Sequence, residues 1–249
     1  MNVTESLRIA EHDTHIVATL DRPEKRNAID QELIDSLHTL CSRLEQDPRT
    51  LILLGAGGTF AAGADIAQLR ARRAEDARAG INTHCFARIR RLPMPVIAVL
   101  DGYALGGGAE LAYAADIRIG TPTLKIGNPE TGLGIIAAAG ATWRLRDIVG
   151  EPLAAEILLT GRVLNADEAL AAGLITHLHE PDEARALAER MAASVARLDP
   201  AATRATKRAL NAPAGAHPAI ELAEQAALFE SPEKMRRMTE FLERKQAKK

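Results

Sequence analysis

The sequence predicts an α/β fold followed by a helical C-terminal region, and three observations carry that prediction. Short apolar runs bounded by glycine alternate with segments of helical periodicity up to about Leu198, and such alternation builds sheets covered by helices. After Asp199-Pro200 the strand-like runs stop and helical segments alone follow. Of 249 residues, 47% are hydrophobic and 26% charged, the composition of a globular chain with a sizeable core rather than a disordered or fibrous one.

Residues 15–20 alternate loosely and read as the first strand. Residues 30–44 place Leu33, Ile34, Leu37, Leu40 and Leu44 on one helical face, with Asp30 as N-cap. Residues 50–54 form a continuous apolar strand ended by Gly55-Ala56-Gly57-Gly58, and residues 95–100 another, ended by Asp101-Gly102. Continuous apolar strands suit a sheet covered on both faces. Residues 116–119 and 174–178 are shorter strands. Asn165 with Glu168 three residues on opens a helix that closes at Gly173. A long helix covers 181–198, and residues 201–210, 218–229 and 232–245 supply the last three. The division falls at 196, with a core over 1–195 and a helical region over 196–249.

Composition excludes several classes. Lysine and arginine number 31 against 33 acidic residues, a net charge of -2, without the basic excess of a nucleic-acid binder. Aromatics at 3% leave few stacking platforms for single strands. Two cysteines, Cys41 and Cys85, cannot build a disulfide framework and read as reduced core thiols. The polar stretch through Asp13 carries no signal peptide, and no apolar run is long enough to span a bilayer. The expectation is a cytoplasmic protein with no membrane contact.

Two glycine-rich segments follow strands, Gly57-Gly58-Thr59-Phe60-Ala61-Ala62-Gly63-Ala64-Asp65 and Asp101-Gly102-Tyr103-Ala104-Leu105-Gly106-Gly107-Gly108-Ala109-Glu110. Neither spells a dinucleotide or nucleotide-triphosphate loop. Each alone is explained as a tight strand-to-helix turn. Together they expose backbone N–H groups at helix N-termini, where the helix dipole favours negative charge. Two such groups aimed at one point make an oxyanion hole. No nucleophile accompanies them, because Ser6, Ser36, Ser42, Ser194 and Ser231 lie outside the glycine turns. The histidines show no H-E-x-x-H, and His177 and His179 read as a surface pair rather than metal ligands; no metal site is expected. What remains is acid–base chemistry at Glu110, on the first turn of an apolar helix, and Glu130, in Gly127-Asn128-Pro129-Glu130. Each alone also reads as a capping or solvated group.

Tyr103-Ala104-Leu105-Gly106-Gly107-Gly108-Ala109-Glu110-Leu111-Ala112 resembles the core signature of the crotonase superfamily, the enoyl-CoA hydratases and isomerases. The likeness continues along the chain. Leu20-Asp21-Arg22-Pro23-Glu24-Lys25-Arg26-Asn27-Ala28 resembles the family's CoA-contacting turn, and Phe60-Ala61-Ala62-Gly63-Ala64-Asp65-Ile66 its first oxyanion turn. Gly127-Asn128-Pro129-Glu130 resembles its second catalytic turn. Thr160-Gly161-Arg162, Ala166-Asp167-Glu168-Ala169, Gly173-Leu174-Ile175 and Phe241-Leu242-Glu243-Arg244-Lys245 match later blocks.

The resemblance implies a spiral of repeated strand–strand–helix units, with a C-terminal helical trimerisation region that builds a homotrimer or a hexamer of paired trimers. It implies an acyl-CoA thioester as substrate, touched by Lys25, Arg26, Ala28, Ala62, Asp65, Ile66, Gly106 and Ala138, and no cofactor apart from the coenzyme A of the substrate. The N–H groups of Ala64 and Gly107 would hold the thioester oxygen. Family hydratases use two glutamates twenty positions apart, and 130 − 110 = 20 here; simple isomerases generally keep the acid matching Glu130 alone. The pair implies hydration of a 2-trans-enoyl-CoA to the 3-hydroxyacyl-CoA, with Glu130 as main proton donor to Cα and Glu110 orienting and deprotonating water. Double-bond isomerisation, thioester hydrolysis, and a non-catalytic or RNA-associated role are the alternatives; the intact pair argues against loss of catalysis, and the charge of -2 against RNA. Two departures stand out. Ala137 and Ala138 replace a proline and a glycine whose backbone helps hold the water, and Lys234 stands where glycine is common. Between Gln68 and Leu92, Arg70, Arg72, Arg73, Arg78, Arg88, Arg90 and Arg91 read as a solvated helix face, one or two of which could meet CoA phosphates or a polar acyl group.

Overall fold

The computed structural model describes residues 3–4 and 6–247; Met1, Asn2 and Glu5, part of the polar start discussed above, lie outside the described residues with Lys248 and Lys249. Strands β1 (Val3–Thr4) and β2 (Leu7–Glu11) fold back antiparallel onto one another and onto β3 (His15–Leu20). From β3 the chain repeats one unit: a long strand joins a large sheet, a short extended piece joins a small sheet, and a helix follows. The first unit runs from β3 through Ile29 to α1 (Gln31–Gln46). The second runs from β4 (Thr50–Gly55) through Ala61 and Ala64 to α2 (Ile66–Ala71), with α3 (Ala74–Ala79) and α4 (Ile81–Arg90) appended. The third comprises β5 (Val96–Leu100), β6 (Tyr103–Leu105) and α5 (Gly107–Ala114). The fourth comprises β7 (Ile117–Gly120), β8 (Lys125–Gly127) and a 3₁₀ turn over Pro129–Leu133.

The long strands pair in parallel from β3 to β4, β5 and β7. The short pieces also pair in parallel: Ile29 with Ala64, Ala61 with Ala104, and β6 with β8. Parallel neighbours in consecutive units require every crossover to return the same way, so the units coil into the spiral that the resemblance implied. Beyond them lie α6 (Arg146–Val149), α7 (Glu151–Thr160), β9 (Val163–Asn165) antiparallel to β8, α8 (Ala166–Ala171), β10 (His177–Leu178) parallel to β7, and α9 (Pro181–Ala196).

Alternate residues of the long strands face opposite sides. On one side Ile16, Leu51, Leu53, Val96 and Ala98 pack with the buried stripe of α1 and with α4 and α5. On the other, Val17, Ile52, Ile97, Val99 and Ile119 meet Ala184, Ala188 and Ala192 of α9, whose small side chains let the helix lie close. Asp30 caps α1 through Leu33 N at 2.9 Å, and Asn165 with Glu168 closes a capping box on α8, both as the sequence predicts. The strand expected over 174–178 is shorter, because Leu174 N and Ile175 N bond back to Ala169 O at the end of α8. All eight residues of α5 are buried, Glu110 included.

The described chain falls into two compact units, one up to Ala193 and one from Ser194. The second contains α10 (Pro200–Leu210), α11 (Ala219–Phe229) and α12 (Pro232–Gln246). Within it Arg208 makes a bidentate pair with Glu224, 2.6 Å on each arm. No helix among the described residues is long and apolar enough to cross a membrane.

Candidate active site

In each unit of the spiral one residue stands between the short extended piece and the helix that follows: Asp30, Asp65, Gly106 and Asn128. Because the short pieces pair side by side, these four helix starts are neighbours. The first is set by the turn before it. Arg26 and Asn27 both take left-handed backbone angles, with φ of 51° and 54°. Buried Asn27 holds that turn: its Oδ1 accepts from Arg22 N (2.9 Å), and its Nδ2 donates to Ala56 O (2.9 Å) and Thr59 O (2.6 Å). Arg26 O then accepts from Ala62 N at 3.0 Å, tying the first unit to the second.

Ile29 N donates to Gly63 O (2.8 Å) and Asp65 N to Ile29 O (2.9 Å). This pairing uses the residues on either side of Ala64 and leaves the Ala64 N–H outside it. Gly107 is the first residue of α5, where a helix N–H has no intrahelical acceptor. A methyl group built on Gly107 would stand 3.7 Å from Ala64 N and 3.6 Å from Asn82 Nδ2, so the two donors and the Asn82 amide share one small space. Gly106, just before, has φ 52°, and a Cβ there would come within 3.1 Å of Glu130 Oε1. Only glycine meets both demands. From the sequence both donors are expected at helix N-termini. That holds for Gly107; the start of α2 is instead occupied by the Asp65 carboxylate, which accepts from Ala67 N (3.0 Å) and Gln68 N (3.1 Å).

Glu110 projects from the first turn of α5, 5% exposed. Its Oε1 accepts from Ala139 N at 2.6 Å and Ala141 N at 3.1 Å. Burial pushes its carboxyl up to about 7, and the Glu130 charge adds to the rise against these two donors. Glu130 is 8% exposed. Its Oε1 accepts from Asn128 Nδ2 at 3.3 Å, while its buried Oε2 has no hydrogen-bond partner among the described residues. Burial raises this carboxyl as well. The Glu130 charge is thus felt at Glu110, as expected of nearby carboxylates.

Both glutamates border one cavity of about 560 Å³, ample for a small-molecule site. It also gathers Ala62, Ala64, Gly106, Gly107 and Ala138. Of the other residues named from sequence, Lys25, Arg26, Ala28, Asp65 and Ile66 do not line it. Lys25 Nζ lies 4.0 Å from Asp65 Oδ2, the Arg26 guanidinium stands 5.9 Å from the Tyr103 ring centre, and Ile66 is 59% exposed. The Ala138 carbonyl accepts from Thr83 Oγ1 at 3.1 Å; the N–H groups that this segment turns inward belong to Ala139 and Ala141. Of the seven arginines, Arg72 and Arg73 line the cavity, whereas Arg88 is paired with Glu45 on α1 at 2.6 Å and Arg90 lies over the Trp143 ring. The described lining holds no serine, cysteine, histidine or lysine. Nor do three His, Cys, Asp or Glu side chains gather as a metal site among the described residues. His177 and His179 stack with centroids 6.2 Å apart. Asn82 in the cavity wall, Asn128 against Glu130, and Tyr113, whose hydroxyl donates to Asn128 Oδ1 at 3.0 Å, are further residues of the site. Asn128 had one signal, an amide two residues before a candidate acid; Tyr113 had none, since a tyrosine on an apolar helix reads as core.

Residues 11–248 match the family described as enoyl-CoA hydratase/isomerase. The short-chain-enoyl-CoA hydratase of Clostridium acetobutylicum is 37% identical over 200 residues, 78% of this chain and 77% of that protein. The crotonyl-CoA hydratase of Syntrophomonas wolfei is 34% identical, with 83% and 82% covered. Among solved structures, an enoyl-CoA hydratase from Thermoplasma volcanium superposes with a TM-score of 0.87 at 33% identity over 95% of this chain and 97% of that one. One from Bacillus anthracis reaches 0.90 at 28% identity over 96% of both. With the spiral, the paired N–H groups and the two glutamates in place, this chain belongs to the enoyl-CoA hydratase/isomerase family of the crotonase superfamily.

Proposed function

We propose that the protein adds water across the double bond of a 2-trans-enoyl-CoA to give the 3-hydroxyacyl-CoA. The observation that carries this reading is the convergence on one cavity of Ala64 and Gly107, whose backbone nitrogens stand outside the pairing described above, and two buried glutamates. The thioester oxygen sits between the N–H groups of Ala64 and Gly107 and takes up charge as the enolate forms. Glu110, whose Oε1 accepts two N–H bonds that offset part of its burial, removes a proton from water. The water oxygen bonds to Cβ, the π electrons move onto the thioester oxygen, and Cα then takes a proton from Glu130. Its unpartnered Oε2 is the natural seat of that proton. Return of a proton from Glu110 to Glu130 resets the pair, so both parts of the water end in the product. The addition is redox-neutral and asks for no cofactor besides the coenzyme A of the substrate.

Lys25 and Arg26, exposed beside the second unit, are suited to the CoA phosphates. Ala28, Ala62, Asp65 and Ile66 border the same edge, and Arg72 and Arg73 stand ready for a polar acyl group or a phosphate. The exposed stripe of Met235, Met238, Phe241 and Leu242 on α12 fits a homotrimer, alone or paired into a hexamer, and the buried, unpaired Cys41 and Cys85 fit a reducing cytoplasm.

The test is the loss of enone absorbance when crotonyl-CoA is hydrated. Glu130→Gln keeps the shape but cannot cycle a proton, and kcat should fall by roughly 10²–10⁴, with Glu110→Gln similar. Full turnover in either variant would remove that residue from the mechanism. Full activity without Glu110 would shift the reading to isomerisation, assayed with a 3-enoyl-CoA.

A further inference from the structure

Asn128 lies between the two halves of the site and belongs to neither. It is 1% exposed. Its Nδ2 donates to Gly106 O and to Glu130 Oε1, both at 3.3 Å, and its Oδ1 accepts from Tyr113 Oη at 3.0 Å. The orientation of the amide follows from chemistry, because a backbone carbonyl can accept and never donate, so the NH₂ end must face Gly106. The Tyr113 hydroxyl, fully buried on α5, locks that choice by donating to the other end.

The carbonyl of Gly106 and the N–H of Gly107 belong to one rigid peptide plane. Whatever fixes Gly106 O therefore aims the Gly107 N–H. Glu110 N also donates to this carbonyl, at 3.0 Å, while Gly106 N donates to Gly127 O at 2.9 Å. Asn128 adds the one bond that ties this plane to a reacting side chain. Its two N–H groups reach the oxyanion-hole peptide on one side and the Glu130 carboxyl on the other. A bond to the carbonyl end of a peptide also polarises its N–H end.

We propose that Asn128, oriented by Tyr113, is a positioning residue that holds the Gly107 N–H and the Glu130 carboxyl in register, so that the enolate oxygen and the Cα proton meet the same substrate. The inference rests on the hydratase reading for its kinetic consequence, but its geometric core needs a bound thioester and nothing more.

The experiment compares the wild-type chain with Tyr113→Phe/Asn128→Leu and with Tyr113→Phe alone. The double variant removes both polar partners at nearly constant volume, which leaves neither stranded in the core. On crotonyl-CoA we expect kcat to fall roughly 10- to 100-fold, the scale of a misplacement near an ångström, with KM within about threefold. The alkaline limb of the pH–rate profile should move upward, because Glu130 has lost a donor that favours its ionised form. Acetoacetyl-CoA, which has no double bond to hydrate, supplies the second readout. Its enolate absorbs apart from the keto form, and the bound enolate fraction should drop several-fold in the double variant and less, in the same sense, in Tyr113→Phe. Should the double variant fail to fold, Tyr113→Phe, which loses a single hydroxyl, carries the test by the same two readouts. A folded variant with wild-type enolate absorbance, or one with a lower kcat but an unmoved alkaline limb, overturns the proposal and leaves Asn128 a packing residue. If the wild-type chain fails to hydrate crotonyl-CoA, the hydratase reading fails, and the acetoacetyl-CoA comparison still decides the role of Asn128.

Discussion

Glu110 is kept where an ionised carboxyl is least welcome. Moved by burial from an ordinary 4.5 up to about 7, it costs the folded chain about 3 kcal/mol once it is ionised. Between these two values the folded chain holds a proton that the unfolded chain has released, so stability falls as pH rises through that window. Glutamine keeps an oxygen that can accept from Ala139 N and Ala141 N and carries no charge. Glu110→Gln should therefore raise the melting temperature at pH 8 by several degrees while nearly abolishing turnover, and the gain should vanish by pH 4. A calorimetric series across that range checks it; an equal shift at both ends would mean that the charge is not what the fold resists. The two glutamates were legible in sequence because each sits in a glycine turn and few other reactive side chains compete there. Asn128 and Tyr113 were not. The two lie fifteen residues apart and meet through α5 and the start of the 3₁₀ turn, a pairing that no periodicity encodes.

At the scale of elements, the helix start that supplies the Gly107 N–H offers a clean test of the oxyanion hole. Proline is at home in the first position of a helix, and the residue before it is glycine, the type least restricted by a following proline. Gly107→Pro should thus preserve α5 while deleting one donor. We expect kcat to fall by about 10²–10³, with circular dichroism unchanged. Gly132→Ala is the control, since a methyl there meets nothing within 4 Å, and it should stay within a few-fold of wild type. Equal rates for the two folded variants would place the thioester oxygen elsewhere. The long strands and α1, α8 and α9 could be read from sequence because burial leaves a continuous or periodic apolar pattern. The small sheet could not: β6, β8 and β9 have three residues each, too few for alternation to register. The short pieces at Ile29, Ala61 and Ala64 are single bridges, visible only through the partners they meet.

At the scale of the whole molecule, the unit from Ser194 onward carries exposed apolar side chains on its last helix. On α12, Met238 is 53% and Phe241 65% exposed, on the face that carries Met235 and Leu242. An exposed apolar stripe of this kind is what the proposed assembly would cover. If the proposed assembly forms, sedimentation at micromolar concentration should find a trimer or hexamer, and Met238→Glu/Phe241→Glu should release folded monomers, because the new charges would face water in the subunit and be buried in the assembly. A wild-type monomer would sink the assembly reading. The coil of the first unit has a different consequence, for which parts of the chain can change length. Each reactive group lies in or just after a short extended piece whose place is fixed by pairing with its neighbours. One residue inserted between β5 and β6 would turn the Gly107 N–H out of line while its neighbours stayed put. The stretch over α2 and α3, up to Gly80, joins no such ladder among the described residues, yet it supplies Leu69, Arg72 and Ala77 to the cavity wall. A change of length in that short stretch would recut the pocket for another acyl group while the paired pieces keep theirs: chain length is frozen along one edge of the coil and open at this one turn.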